Sequence, residues 1–452
     1  MLSHMHPQLA AFFQYRVEQQ KLLEQLEGPG AVMPMPDLKG LRAWYKMFGE
    51  RVGGPVLEVA GVHDFVAETD ERPLHMRLYR PHTDPHVRHD GIRSDIHAGT
   101  RSSSPAEAPK NGHTDADTNT NTSTSTDSNT NTNTNTNTNT NTNTNTSTST
   151  DSNTNTDTDT GTHPAEKAPP CLVYFHGGGW SMGDLDTHDR VCRRLARAAQ
   201  AVVISVDYAL SPELPWPQAA HDAIAATRWI QASASTLAID AHRVGVAGDS
   251  AGGNLAAIVA LALRPAADEQ TQPGDRTRPD DQHRTGSQHR STAQPGTDRP
   301  LPGNDHPQPE NLPPLVAQLL VYPATDLRSG FDPRYPSLAD NADRPPLSTA
   351  QMREHMRHYL GEQPEHARHW QASPLLADSH RGVAPALIIT AELDPLRDDG
   401  IAYAQTLSRA GVDVLLRNYA GHTHGFVEMA GVLDTVPDAF ALMGQWFRQQ
   451  AA

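Results

Sequence analysis

The chain has 452 residues, two cysteines and a formal charge of −16, with 53 acidic residues against 37 basic ones. An acidic balance of this size argues against nucleic-acid binding and leaves small neutral substrates open. Two cysteines, Cys171 and Cys192, do not make a disulfide framework, which fits a reducing, cytoplasmic setting. The start, Met1 to Pro7, shows no basic stretch followed by an apolar run, and no apolar run of about eighteen residues occurs, so neither a signal peptide nor a membrane span is expected.

In chain order, Leu9, Phe12, Phe13 and Val17 recur at helical spacing, and the sequence predicts helices over His6–Leu26 and Leu38–Phe48. Val56–Val66 and Arg72–Arg80 read as paired strands. Composition then changes. Residues 83–168 are dominated by Thr, Asn, Asp and Ser, with pure Asn-Thr alternation over Asn129–Thr146. No apolar face exists there to bury, so the tract cannot offset its ordering entropy and is expected to be disordered. A second polar tract, 265–312, is expected to be disordered too. Without the two, about 318 residues remain, the size of one domain.

Between and after the tracts, short apolar runs alternate with helical patterns. Cys171–Phe175 reads as a strand, Thr187–Ala199 as a helix, Ala201–Tyr208 as a strand and Pro217–Ala232 as a helix. Val244–Ala247 (strand), Asn254–Leu263 (helix) and Val316–Tyr322 (strand) continue the series. Residues 326–375 are irregular, then helical, with Met352, Met356, Tyr359 and Leu360 as an apolar stripe suited to core packing. Ala386–Ala391 and Val412–Tyr419 are the last strands. This alternation predicts an α/β chain with a mostly parallel sheet and helices on both faces.

Three strand ends carry chemistry. Gly248-Asp249-Ser250-Ala251-Gly252 follows the Val244 strand and opens a helix, the strand–turn–helix setting of a G-x-S-x-G nucleophile elbow. Small residues are needed because a Cβ would obstruct so sharp a turn. A serine at a helix N-terminus also sits where a developing oxyanion is favoured. The Cys171 strand runs into His176-Gly177-Gly178-Gly179-Trp180, whose unshielded amides suit an oxyanion loop. The amides of Gly177, Gly178 and Ala251 are the expected donors. After the Ala386 strand, Glu392-Leu393-Asp394-Pro395 offers an acid that can orient an imidazole. Asp394 is the choice; Asp398 and Asp399 better suit the first turn of the next helix. The loop expected after the last strand, Gly421–Phe426, holds two histidines, His422 and His424, either of which can serve as base. The order Ser, Asp, His is that of α/β-hydrolases.

Together His176–Trp180, Asp207–Glu213, Gly248–Asn254, Asp394–Gly400 and His424–Phe426 resemble the hormone-sensitive lipase family of α/β-hydrolases, in its bacterial esterase branch. The resemblance implies the α/β-hydrolase fold, a mostly parallel sheet flanked by helices and covered by a helical cap. It selects His424, the histidine before Gly-Phe, and supports Asp394. It divides the chain into a first cap segment (1–50), core (51–82), insert (83–168), core with oxyanion loop and elbow (169–264), insert (265–312), a core strand (313–325), a second cap segment (326–375) and core with acid and histidine (376–452). The implied activity is hydrolysis of short- to medium-chain carboxylic esters through an acyl-enzyme, without metal or organic cofactor. An amidase or deacetylase using the same triad is the neighbouring reading. A non-catalytic receptor of this fold lacks the histidine, which His424 supplies here, and an interaction protein built around the Asn/Thr tract is a third reading. Such proteins often pair through the edge strand near the C-terminus, which leaves room for a homodimer. The chain departs from the family at Ala209 and Ser211, where arginine and alanine are usual, at Asp399, where glutamate is usual, and in its two inserts. Both inserts are expected to leave from the sheet edge opposite the catalytic loops.

Overall fold

In a computed structural model, the described residues are 4–27, 37–82, 167–265 and 312–452. Nearly all of both polar tracts lies outside them, and so do the expectations of disorder made for those tracts. The helices are α1 (Pro7–Glu27), α2 (Leu38–Val52), α3 (Asp189–Ala199), α4 (Gln218–Ala232), α5 (Ala251–Ala262), α6 (Ser337–Asp340), α7 (Thr349–Tyr359), α8 (Arg397–Arg409) and α9 (Val436–Gln450). The strands are β1 (Gly61–Glu68), β2 (Pro73–Arg80), β3 (Cys171–Phe175), β4 (Val202–Val206), β5 (Val244–Asp249), β6 (Ala317–Val321), β7 (Ala386–Leu393) and β8 (Val414–Thr423).

They form one eight-stranded sheet in the order β1-β2-β4-β3-β5-β6-β7-β8. Strand β2 runs antiparallel to both neighbours; from β4 to β8 every pairing is parallel. Parallel strands buried on both faces must be apolar throughout, and β3, β4 and β6 are fully buried. Alternation sorts their side chains. Cys171, Val173 and Phe175 join one core with α4, α5 and α8, while Leu172 and Tyr174 join the other with α1, α3 and α9.

Several boundaries differ from expectation for identifiable reasons. Residues 56–60 are not a strand. The carbonyls of Gly53, Gly54, Pro55, Leu57 and Glu58 are taken by arginine side chains of α3, namely Arg194, Arg190, Arg193 and Arg197. Helix α5 starts at Ala251, directly after Ser250, rather than at Asn254. Strand β8 passes Tyr419 and ends at Thr423, because an irregularity between Ala391 and Leu393 lets Thr423 pair with Leu393. His422 therefore lies in a strand and not in a loop.

The register also fixes where the tracts attach. Tyr79, near the end of β2, pairs with Val203, and Cys171 at the start of β3 pairs with Val202. Ala317 at the start of β6 pairs with Gly245 at the start of β5. These attachment points lie at the amino ends of the parallel strands, whereas Ser250 follows the carboxyl end of β5.

Candidate active site

Strand β5 delivers Ser250 with φ 56 and ψ −119, a conformation that β-carbon-bearing residues avoid. Its neighbours have to be glycine. A Cβ on Gly248 would come within 2.3 Å of the Gly252 carbonyl oxygen, and one on Gly252 within 1.9 Å of the Phe175 carbonyl oxygen. The Ser250 amide donates to the Val321 carbonyl at 2.8 Å, tying the turn to β6.

The structure brings Ser250, His424 and Asp394 together. His424 Nε2 is 2.8 Å from Ser250 Oγ, and its Nδ1 is 2.8 Å from Asp394 Oδ2. Asp394 is fully buried, and its other oxygen accepts the Leu396 amide at 2.8 Å. Burial opposes the protonated form of His424, but Asp394, with Asp249 and Glu428 beyond it, outweighs burial and holds its pKa above the ordinary histidine value. His422 is committed elsewhere: Nδ1 lies 2.7 Å from the Ala420 carbonyl and Nε2 2.7 Å from Thr435 Oγ1. Asp398 and Asp399 do lie in the first turn of α8. Asp399 is buried there and accepts from the amides of Thr325 and Asp326; burial, with Asp326 alongside, pushes its pKa to about 7.

The oxyanion loop requires a correction. The Gly177 amide donates to Asp249 Oδ1 at 2.9 Å and so is not free for a substrate oxygen. Its neighbours Gly178 (φ +116) and Gly179 (φ +60) line the cavity with Ser250. The amides of Gly178, Gly179 and Ala251 find no acceptor among the described residues. Of the three expected donors, Gly178 and Ala251 thus keep free amides and Gly177 does not, while the Gly179 amide is free as well.

Asp249, buried within the elbow motif, holds the loop from behind. Besides Gly177 it accepts from the Tyr174 hydroxyl at 2.5 Å and faces His188 Nε2 at 3.3 Å. His188 and Asp249 form a cluster with Glu428, their ligand-type atoms within 4.8 Å of one another. Such a set could in principle hold a metal, yet His188 Nε2 already meets Asp249 and the Gly177 amide, and Glu428 accepts from the Tyr45 hydroxyl of α2 at 3.1 Å. We therefore treat the cluster as a hydrogen-bond network. Burial pushes the Glu428 pKa to about 7, against the pull of His188.

The usual arginine of the Asp207–Glu213 segment is replaced by Ala209, whose amide donates to Asp222 at 2.8 Å while Arg72 pairs with the same carboxylate. Glu213 is bound through both oxygens by Arg42 of α2. Helix α2 thereby rests on the loop beside the site, and it walls the cavity with Leu41, Trp44, Tyr45 and Phe48; Met352, His355 and Met356 of α7 close another side. The stripe on α7 is core packing and cavity wall at once. The cavity measures about 100 Å³. Gly179, Asp249, His188, Tyr45, Glu428 and His355 were not among the expected site residues. Two of them carried a signal: Gly179 lies in the glycine run of the oxyanion loop, and Asp249 is an acid in a buried elbow, which must find donors.

Comparison with known proteins bears on the fold and the family. A family model described as alpha/beta hydrolase fold matches residues 172–428. Esterase LipI of Mycobacterium tuberculosis is 38% identical over 278 residues, 62% of this chain and 72% of that protein. Carboxylesterase NlhH of the same species is 38% identical over 273 residues, 60% and 70% of the two chains. Among solved structures, the hyperthermophilic esterase from the archaeon Pyrobaculum calidifontis superposes with a TM-score of 0.60 at 26% identity, covering 96% of this chain and 98% of that one.

Proposed function

The chain belongs to the alpha/beta hydrolase fold family, among the esterases that resemble hormone-sensitive lipase, and from that premise we propose that it is a serine carboxylesterase working through Ser250, His424 and Asp394. The observation that carries the residue assignment is the continuous path from Ser250 Oγ through His424 to buried Asp394, 2.8 Å at each step.

Ser250 Oγ attacks the ester carbonyl as His424 Nε2 takes its proton. Asp394 fixes the imidazole with Nδ1–H toward it and stabilises the imidazolium. The amides of Gly178, Gly179 and Ala251 receive the oxyanion, each donor of this kind being worth roughly a hundred- to a thousandfold in rate. His424 returns the proton to the departing alcohol, then activates water against the acyl-enzyme. The cavity, about 100 Å³ and lined mainly by apolar side chains, favours short acyl groups.

Two finer points belong to the same reading. The exposed edge strand β8 presents Leu415 and Leu416, 41% and 38% exposed, and supports pairing of two copies through that edge. The free, buried thiols of Cys171 and Cys192 support a cytoplasmic setting.

Hydrolysis of p-nitrophenyl esters from acetate to palmitate tests the function, with Ser250→Ala as control. Turnover is expected to peak at the short esters and to fall by about five orders of magnitude in the control, without loss of fold. Folded wild-type protein that cleaves no member of the series would overturn the reading.

A further inference from the structure

Helix α7 turns its buried stripe of Met352, Met356 and Tyr359 into the core, yet one residue beside them is an imidazole. His355, one turn on from Met352, lines the same cavity as Ser250 and His424. It stands directly on the oxyanion loop: a Cβ added to Gly179 would fall 2.6 Å from His355 Cγ. Its Nδ1 lies 3.0 Å from the hydroxyl of Ser181, a fully buried residue whose carbonyl also accepts from Arg42 Nε at 2.7 Å. The ring is therefore held in place from both cap helices, and Nε2 is left without a partner among the described residues.

Most other polar side chains of the cavity are occupied; the Trp180 indole N–H is buried and also without a partner among the described residues, but it can only donate. Gln351 closes the capping box with Ser348, His424 is spent on Ser250 and Asp394, and Tyr45 donates to Glu428. Glu428 sits next to Gly425 and belongs to the cluster with His188 and Asp249 behind the loop. Burial, with His358 and His424 adding to it, lowers the His355 pKa to about 4, so the ring is neutral at neutral pH. A neutral imidazole offers one hydrogen bond at Nε2, as donor or as acceptor according to what Ser181 does at Nδ1. A hydroxyl satisfies either tautomer. An alkyl group in its place leaves a dry, unpaired ring nitrogen, the kind of loss that a site built for hydrogen bonding uses to discriminate.

We propose that His355 is a specificity-determining residue, which binds a hydroxyl carried by the substrate close to the scissile ester, so that hydroxylated short esters are the preferred substrate class. The proposal rests on the esterase reading above. His355 and Ser250 line one cavity, so the hydroxyl can belong to the acid or to the alcohol.

The experiment compares kcat/KM for two pairs: ethyl lactate against ethyl propanoate, and ethylene glycol monopropanoate against propyl propanoate. In the wild type at least one hydroxylated ester is expected to lead its plain partner by about tenfold. His355→Leu should bring that ratio close to one, while His355→Gln, which keeps a hydrogen-bonding edge, should retain part of it. The pair that responds tells which half of the substrate carries the hydroxyl. A purely structural role would lower both members of a pair alike and leave the ratio unchanged; that result, or no preference in the wild type, would overturn the proposal. Folded wild-type protein that cleaves none of the four esters would fail the esterase reading, and this proposal with it.

Discussion

The two edges of the sheet are built on different terms. At the carboxyl ends of the parallel strands the backbone is bent into unfavourable angles: Trp180 (φ 55), Ser250 (φ 56) and Tyr322 (φ 34) all follow strands that feed the site. At the amino ends the comparable described residues are Gln200, an ordinary left-handed cap closing α3 before β4, and Ala238 (φ 48) in the turn before β5. The carboxyl edge also gathers buried groups that titrate far from their usual range, Glu428 among them. The amino edge is closed by plain hydrogen bonds, such as Val202 and Asp240 amides onto the Pro170 and Pro169 carbonyls. Strain and buried charge are tolerated where they position reacting atoms; where the chain only connects, it can lengthen. The long polar tracts attach on that second side.

The sharpest way to break this contrast is Asp394→Asn. It keeps the size of the side chain but removes the charge that favours imidazolium, and kcat is expected to fall by about three to four orders of magnitude. The sign of the pH effect follows. In the proposed mechanism neutral His424 is the base, and Asp394 raises its pKa, so residual activity in the variant should reach its plateau at lower pH than in the wild type. A kcat/KM profile from about pH 5 to 9 measures both effects; an unmoved acid limb would remove Asp394 as the group acting on His424.

Glu428→Gln tests the buried charge of the same edge through stability. The Glu428 pKa is raised from 4.5 to about 7, so the folded protein keeps a proton that the unfolded chain releases. Stability present below the unfolded value is lost as pH rises through the folded one. Between about pH 5 and 8 the wild-type melting temperature should therefore fall more steeply than that of the variant, by a few degrees. Asp399, with its pKa also near 7, keeps part of the slope in both. Equal slopes would place the Glu428 pKa near its ordinary value.

The smallest effect is expected on the amino edge. Strand β4 alone separates β2 from β3, so a short Gly-Ser link can replace residues 83–166, and a second can replace 266–311. Such a protein should keep kcat/KM within about twofold and its melting temperature within a few degrees. Folded but inactive protein would show that the tracts serve the site after all.

How much of this was legible in the sequence varied with distance along the chain. The parallel core is legible because its strands are short apolar runs alternating with helical patterns, and the Ser250 and Asp394 candidates follow such runs; between His422 and His424 the local pattern does not choose, and only the family resemblance does. Gly177 was misread because three consecutive glycines look alike in sequence. Which amide stays free depends on Asp249, 72 residues away, accepting one of them. Residues 56–60 read as a strand because the arginines that take the Leu57 and Glu58 carbonyls lie on α3, beyond the first tract. The extension of β8 to Thr423 needed an irregularity that no composition rule marks. His355 and Glu428 carry no motif; each acquires meaning only from what the fold sets beside it.

The place of His424 has a consequence for how the protein matures and fails. Ser250 and His424 are 174 residues apart in sequence, and the histidine rides at the end of β8, which pairs only with β7 at the margin of the sheet. On the proposed mechanism, a nascent chain that has folded every strand through β7 would hold a nucleophile and an acid but no base, and should stay chemically silent until the last strand docks. The reverse holds on warming. A marginal strand can open locally at a lower free-energy cost than the whole domain, so inactivation should set in before the core melts, and turnover reports on the closure of one strand.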